Sequence, residues 1–145
     1  MEIRMVTKDD FEKVVELMSE FAEESLSEYG TKLDIDQLKK TFDSGCDTSF
    51  AAIVDDKMVG VLGGRIVNDF CSAEPVYEEI VWFMNKKYRR YGIKLFNFMQ
   101  QWCVVHGVNR ITMCAMENSM RDKLGRLYER LGFQVMETRY IKVIN

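Results

Sequence analysis

Three apolar segments follow one another in the middle of the chain, and they constrain the fold more than any other feature. The segments are SFAAIV, MVGVLGGRIV and VYEEIVWFM. Asp55, Asp56 and Lys57 form a tight turn between the first two, which predicts an antiparallel hairpin. Residues 69–75 are expected to form a loop that closes with Pro75, so the third segment adds a further strand. The sequence therefore predicts a mostly antiparallel central sheet.

Further elements flank this sheet. MEIRMV alternates between apolar and polar residues and is typical of a first strand. Thr7 and Asp10 have the spacing of a capping box, which opens a helix. Gly30 lies beyond the end of that helix, and a second helix is expected over residues 35–42.

On the C-terminal side, helical spacing predicts a helix over residues 93–106, and RITMCAM is expected to be the fifth strand. Ser119 and Asp122 are expected to cap another helix, which Gly132 ends. FQVMETRYIKVI is expected to supply one or two final strands.

The element order is thus β-α-α-β-β-β-α-β-α-β. This order predicts an α/β (α+β) fold, with a mixed, mostly antiparallel central sheet and helices on both faces. A chain of 145 residues is suited to one core, so we expect a single domain over residues 1–145.

Other features narrow the protein class. No apolar run approaches 18 residues, and MEIRMVTKDDF lacks a hydrophobic signal region, so we expect a cytoplasmic protein that does not span a membrane. The four cysteines show no C-x-x-C spacing and there is one histidine, which argues against a metal site. Reduced thiols are the expected state of these cysteines.

Charge is distributed unevenly along the chain. Residues 1–60 hold 15 acidic and 7 basic side chains, whereas residues 61–145 hold 8 acidic and 13 basic ones. The C-terminal part is therefore suited to an anion. Nucleic acid is disfavoured as that anion, because the sequence pI is about 5.3.

The positive charge is concentrated in KKYRRYGIKLF, residues 86–96, between a strand and a helix. A helix that begins near Gly92 has unpaired N–H groups and a positive dipole end, and both favour a phosphate. Arg89, Arg90 and Lys94 can add charge-assisted hydrogen bonds. The segment matches neither G-x-x-x-x-G-K-[ST] nor G-x-G-x-x-G, so nucleotide triphosphates and nicotinamide cofactors are disfavoured.

The chain resembles the GNAT superfamily of acyl-CoA-dependent N-acetyltransferases. Residues 89–94, RRYGIK, resemble the R/Q-x-x-G-x-G/A diphosphate loop of that family, and LYERLGF, residues 127–133, resembles its L-Y-x-x-x-G-F signature. The EEIVWFM segment and the element order are also similar, so the resemblance covers essentially the whole chain. Lys94 departs from the pattern, because the family has a small residue at that position.

The resemblance implies catalytic roles for three residues. Tyr128 would be the acid near the thioester sulfur, because a phenol is neutral at pH 7 and can donate a proton or a hydrogen bond. Glu79 or Glu78 would be the base, directly or through water. Adjacent strand residues point to opposite faces, so at most one of the two faces a given cleft, and Glu79 is slightly favoured.

The resemblance also implies where coenzyme A would bind. A backbone N–H near Phe83 or Met84 would stabilise the oxyanion. Asn118 would contact the cosubstrate or the acceptor, unless it only serves the turn into the next helix. The diphosphate would lie on the loop residues Arg89, Arg90, Tyr91, Gly92, Ile93 and Lys94.

These expectations lead to an N-acetyltransferase that transfers the acetyl group of acetyl-CoA to a primary amine by direct attack, without a metal. A non-catalytic acyl-CoA-binding or protein-interaction module on the same fold is the alternative. The acceptor would be a small-molecule amine or a protein amine. Acidic residues early in the chain, Glu20, Glu23, Glu24 and Glu28, would favour a cationic acceptor. A homodimer is compatible with the resemblance.

Overall fold

A five-stranded sheet forms the centre of the computed structural model, which describes residues 1–144. Its strands are β1 (Glu2–Met5), β2 (Ser49–Val54), β3 (Lys57–Asn68), β4 (Pro75–Met84) and β5 (Arg110–Thr112). They lie in the order β1-β2-β3-β4-β5. All neighbouring strands are antiparallel except β4 and β5, which are parallel. The mixed, mostly antiparallel sheet is therefore confirmed.

In the described part of the chain, four α-helices cover the sheet: α1 (Phe11–Phe21), α2 (Ile35–Gly45), α3 (Gly92–Val105) and α4 (Arg121–Arg130). A π-helical turn over Ala22–Leu26 and a 3-10 turn over Ser27–Tyr29 continue α1 towards Gly30. Gly30 adopts φ +74°, a left-handed conformation that glycine accommodates at a helix end.

Apolar side chains are buried on both faces of the sheet, as expected for a sheet with helices on both sides. On one face, Leu17 of α1 and Phe42 of α2 pack with Val61 of β3. On the other face, Phe50 of β2 packs with Phe96 of α3. The alternation of side chains along β2 and β3 thus supplies both cores.

The hairpin between β2 and β3 forms where it was predicted. Asp55 and Asp56 both adopt positive φ, at 49° and 61°, as the two central residues of a type I′ turn do. Glycine is the usual residue there, but aspartate tolerates the left-handed region better than most other side chains.

Several predicted boundaries were wrong. α2 extends to Gly45, α3 begins at Gly92 itself, and β5 ends at Thr112 instead of continuing through residue 116. The predicted cap of α4 by Ser119 and Asp122 is also wrong, because Met120 is the N-cap residue and no side chain caps that helix.

The predicted C-terminal strands are also absent from residues 134–144, which have no regular secondary structure. An alternating sequence forms a strand only when a neighbouring backbone completes its hydrogen bonds. Here the adjacent edge strand, β5, is three residues long. The last residue of that prediction, Ile144, is still described, whereas residue 145 lies outside the described residues.

Candidate active site

A gap opens in the sheet where β4 and β5 separate. The two strands pair only from Val76 with Arg110 to Glu78 with Thr112. Within residues 1–144, no strand pairs with the β5 side of β4 from Glu79 to Met84. That edge presents backbone donors and acceptors, as an unpaired strand edge does.

A β-bulge in β4 lies next to this gap. Val81 pairs with Gly63 and Glu79 pairs with Gly64, so Ile80 is an extra residue on β4. Gly64 permits the bulge, because a Cβ atom there would lie 2.6 Å from the carbonyl oxygen of Glu78. A bulge reorients the side chains that follow it.

Glu79 lies at the start of the gap and is 7% exposed. Its Oε2 accepts a hydrogen bond from the backbone N–H of Cys114 at 2.8 Å. Burial raises the pKa of this carboxyl to about 7, although hydrogen bonds from Cys114 oppose the shift. Near neutral pH, Glu79 therefore exchanges between its acid and its base form.

Tyr128 reaches the same peptide segment from α4. Its hydroxyl donates a hydrogen bond to the carbonyl oxygen of Cys114 at 2.7 Å. Burial, followed by the nearby Glu79 carboxylate, raises the pKa of the phenol well above its usual value. Tyr128 therefore remains protonated and is a hydrogen-bond donor beside the gap.

Glu78 points away from this pair, as alternation along a strand requires. Its Oε2 lies 2.7 Å from Nε of Arg65, the residue opposite it on β3. Of the two glutamates proposed as bases, only Glu79 is buried beside Tyr128.

The basic loop forms a 3-10 turn over Lys86–Tyr91 and leads directly into α3. The side chain of Asn85 accepts a hydrogen bond from the N–H of Lys87 at 3.1 Å and caps the turn. The Arg90 guanidinium lies 4.7 Å from the centroid of the Tyr91 ring, and Nζ of Lys94 lies 5.4 Å from it. Lys94 is exposed, so its departure from the family pattern does not crowd the turn.

Gly92 is buried at the first turn of α3, against β4. A Cβ atom at this position would lie 3.5 Å from Cγ of Met84 and 3.5 Å from Cζ2 of Trp82. These are ordinary contact distances. The missing side chain therefore faces β4, and the helix end approaches the end of that strand.

Two proposed phosphate ligands differ in their surroundings. Arg89 forms an ion pair with Glu24, whereas Arg90 stacks on Tyr91 and is exposed. Lys86 also approaches Glu24, at 3.9 Å.

The remaining predicted residues lie around the gap. Phe83 and Met84 are buried at the end of β4, and Ile93 is half-buried in the core beneath α3. Asn118 donates hydrogen bonds to the carbonyl oxygen of Ser25 at 3.1 Å and to Glu28 Oε2 at 2.7 Å. It therefore contacts the turns that continue α1.

Sequence reasoning missed two features of the site. One is the backbone of Cys114, whose N–H contacts Glu79 and whose carbonyl oxygen contacts Tyr128, and no sequence signal marks it. The other is Trp82, whose ring centroid lies 6.1 Å from that of Tyr128. Its Nε1 is the one buried side-chain polar atom without a hydrogen-bond partner in residues 1–144.

Residues 1–144 lack a membrane-spanning helix and a cluster of metal ligands. That part of the chain contains no helix long and apolar enough to cross a bilayer. It also contains no group of three or more histidine, cysteine or acidic residues arranged to hold a metal ion.

Comparison with solved structures shows the same fold in several acetyltransferases. An aminoglycoside acetyltransferase from an uncultured soil metagenomic sample superposes with a TM-score of 0.75 at 18% identity, covering 99% of this chain and 96% of that one. The ribosomal-protein-alanine N-acetyltransferase of Brucella melitensis biovar Abortus 2308 gives 0.76 at 14%, covering 99% and 98%. AAC(6')-Iy, in complex with a CoA-containing bisubstrate analogue, gives 0.74 at 18%, covering 99% and 97%.

A family model, but no curated protein, matches the sequence of this chain. No curated protein sequence matches the chain significantly. The model of the acetyltransferase (GNAT) family, however, matches residues 11–133, which include α1, the gap, the basic loop and Tyr128. The chain therefore belongs to the acetyltransferase (GNAT) family, and this membership supports acyl transfer as its general chemistry.

Proposed function

We propose that this protein is a single-domain N-acetyltransferase that transfers the acetyl group of acetyl-CoA to a primary amine. The observation that carries the proposal is the convergence of Glu79 and Tyr128 on Cys114, beside the unpaired edge of β4. One of these side chains can accept a proton near pH 7, and the other can donate a hydrogen bond. Acyl transfer to an amine requires both.

The residues around the gap fit coenzyme A. The unpaired edge from Glu79 to Met84 can hydrogen-bond an amide-containing chain that lies along it like a strand. The positive dipole end of α3, which begins at Gly92, can attract a diphosphate, although the N–H of Gly92 itself already donates to the carbonyl oxygen of Arg89. Arg90 and Lys94 lie beside that turn and are exposed, so they can pair with phosphate oxygens. Coenzyme A would supply the thioester that activates the acetyl group.

Glu79 would accept the proton that the amine loses as the C–N bond forms. A base with a pKa of about 7 is largely ionised at physiological pH and still takes up a proton readily. The backbone N–H of Phe83 or Met84, at the end of β4, would donate to the oxyanion of the tetrahedral intermediate.

Tyr128 would stabilise the departing thiolate as the C–S bond breaks. The pKa of a phenol already lies above that of an ordinary thiol, and burial raises it further in Tyr128, so complete proton transfer from Tyr128 to the thiolate is unfavourable. A hydrogen bond from the phenol is therefore its main contribution, and to make it the single O–H of Tyr128 would turn from the Cys114 carbonyl oxygen to the thiolate. Solvent would deliver the proton to the released thiol.

We place this reaction in the cytoplasm. The four cysteines, Cys46, Cys71, Cys103 and Cys114, are unpaired thiols within residues 1–144. Unpaired thiols are typical of a reducing compartment.

Two measurements test the proposal. CoA and acetyl-CoA should raise the melting temperature of the protein, since a ligand that binds only the folded state stabilises it. CoA release should then be followed with a panel of amines: an aminoglycoside, a polyamine, a lysine peptide and a peptide with N-terminal alanine. CoA binding without turnover on any amine would favour the non-catalytic acyl-CoA-binding module. No stabilisation at millimolar CoA would contradict both the acetyltransferase and the acyl-CoA-binding module.

Replacing Tyr128 with phenylalanine tests the role of its hydroxyl. We expect kcat to fall about 10- to 100-fold, because the thiolate loses its hydrogen bond, while the Kd for CoA changes less than about threefold. The variant also loses the hydrogen bond to the Cys114 carbonyl oxygen, but the ring contacts with Trp82 and Phe133 remain, so the fold should persist. Stopped-flow acetylation and calorimetric CoA binding measure the two effects. Full activity would remove Tyr128 from the mechanism.

A further inference from the structure

Three glutamates on α1 and its continuation, Glu20, Glu24 and Glu28, are four residues apart. Side chains at this spacing are neighbours on an α-helix, and here Glu20 lies in α1, Glu24 in the π-helical turn and Glu28 in the 3-10 turn. We call these three residues the glutamate ridge. Each of them contacts a residue outside its own helix.

The first two glutamates of the ridge contact the basic loop that follows β4. Glu20 Oε2 accepts a hydrogen bond from Nδ2 of Asn85 at 2.8 Å. Glu24 pairs with Arg89, and both side chains are 28% exposed. Lys86 adds a longer contact with Glu24, at 3.9 Å. The ridge therefore holds the start and the later part of the loop against α1.

The third glutamate contacts the opposite side of the gap. Glu28 Oε2 accepts a hydrogen bond at 2.7 Å from Nδ2 of Asn118, in the segment that follows β5. The same amide group donates to the carbonyl oxygen of Ser25 at 3.1 Å. This segment is thus held against the π-helical turn that contains Ser25 and the 3-10 turn that contains Glu28.

We propose that the glutamate ridge braces the two sides of the gap and that Glu24 and Glu28 are positioning residues for acyl-CoA. This inference rests on the proposed function, because it assumes that the gap and the basic loop receive the cosubstrate. Past Glu78 and Thr112, no strand pairing joins β4 to β5 in the described residues. The contacts of the ridge connect the segments that follow these strands.

The brace acts by ordering the binding site before the ligand arrives. A loop that is already ordered loses less conformational entropy on binding, so the affinity of its ligand is higher. Without Glu24, Arg89 and Lys86 lack their carboxylate partner and the basic loop becomes more mobile. The ridge touches neither Glu79 nor Tyr128, so the chemical step itself should be preserved.

The test compares Glu24→Gln and Glu28→Gln with Glu16→Gln. Glu16 is an exposed residue of α1, four positions before Glu20, and gives a control with the same change of charge. We expect Glu24→Gln and Glu28→Gln to raise the KM for acetyl-CoA about five- to tenfold. We expect kcat to stay within about twofold and Glu16→Gln to leave both constants unchanged.

Amide hydrogen exchange tests the brace without any ligand. In the unliganded protein, residues 86–95 should exchange about tenfold faster in Glu24→Gln than in the wild type or Glu16→Gln. Unchanged exchange would overturn the brace whether or not the protein binds CoA. Faster exchange in a protein that binds no CoA would support the brace but overturn its role in cosubstrate binding, together with the proposed function.

Two further results, one from CoA binding and one from KM and melting temperature, would also overturn the inference. Tighter CoA binding by Glu24→Gln would mean that Glu24 competes with the diphosphate for Arg89. An unchanged KM with a lower melting temperature would mean that the ridge only stabilises the fold. The double variant Glu24→Gln/Arg89→Gln should bind CoA no more weakly than Arg89→Gln alone if Glu24 acts by holding Arg89. If the two substitutions instead weaken CoA binding additively in the double variant, Glu24 does not act by holding Arg89.

Discussion

Replacing Gly92 with glutamate should weaken CoA binding by about 100-fold or more. The new carboxylate would lie in the first turn of α3, where the diphosphate is proposed to bind, and would repel it. A Cβ at this position makes ordinary contacts at 3.5 Å with Met84 and Trp82, but the longer glutamate side chain would have to extend beyond these two residues. Isothermal titration with CoA measures the loss.

Three further variants separate ligand exclusion from misfolding. Gly92→Ala adds a Cβ at ordinary contact distances and in helical geometry, so it should fold normally and lose less than about tenfold in affinity. Lys94→Glu reverses an exposed charge in the same turn and should weaken CoA about tenfold or more. Asn97→Glu, exposed farther along α3, should have little effect. CoA affinity unchanged in both Gly92→Glu and Lys94→Glu would place the diphosphate elsewhere.

The sequence predicted the central sheet well because its signals there are local. The alternation along β2 and β3 and the Asp55–Asp56 turn specify a hairpin without reference to the rest of the chain. Similarly, a basic segment before an apolar helical pattern indicated the start of α3, which differs by one residue from the predicted position.

The edge of the sheet could not be predicted in the same way. RITMCAM has strand-forming residues throughout, but β5 ends at Thr112, where β4 and β5 diverge and side chains from other elements hold the backbone instead. The bulge at Ile80 likewise depends on the close approach of two strands at Gly64. Neither the early end of β5 nor the bulge leaves a pattern in a single segment, because each depends on the relative position of distant residues.

In the candidate site, too, the features that depend on local sequence could be predicted, and the contacts between distant residues could not. The opposite orientation of Glu78 and Glu79 follows from the alternation of a strand, and the structure has it. Residue types and the family resemblance singled out Glu79 and Tyr128, but not the Cys114 peptide that both contact. The acidic residues of α1 were visible as charges, yet their contacts with Asn85, Arg89 and Asn118 span about 65 to 90 positions of sequence.

Replacing Glu79 with glutamine should lower kcat/KM by about 100- to 1,000-fold at pH 8, because the amine loses its proton acceptor. The glutamine carbonyl can still accept the hydrogen bond from Cys114, so the geometry should be preserved. The wild-type rate should fall as the pH drops below about 7, where Glu79 becomes protonated. Ionisation of the amine affects both proteins equally and cancels in the ratio of the wild-type rate to the Glu79→Gln rate. That ratio should therefore change only with the protonation of Glu79, near pH 7. Glu78→Gln tests the neighbouring glutamate and should change the rate less than about threefold.

Glu79→Gln should also change how the free energy of unfolding depends on pH. The pKa of Glu79 is raised from 4.5 to about 7 on folding, so the folded protein holds this proton more tightly than the unfolded chain between those values. The wild-type free energy of unfolding therefore falls as the pH rises through this range, by about 3 kcal/mol for this group. Glutamine does not titrate, so urea unfolding should show that Glu79→Gln gains stability over the wild type between pH 5 and pH 8. A constant difference would mean that the Glu79 carboxyl titrates normally, and the case for it as the base would then fail.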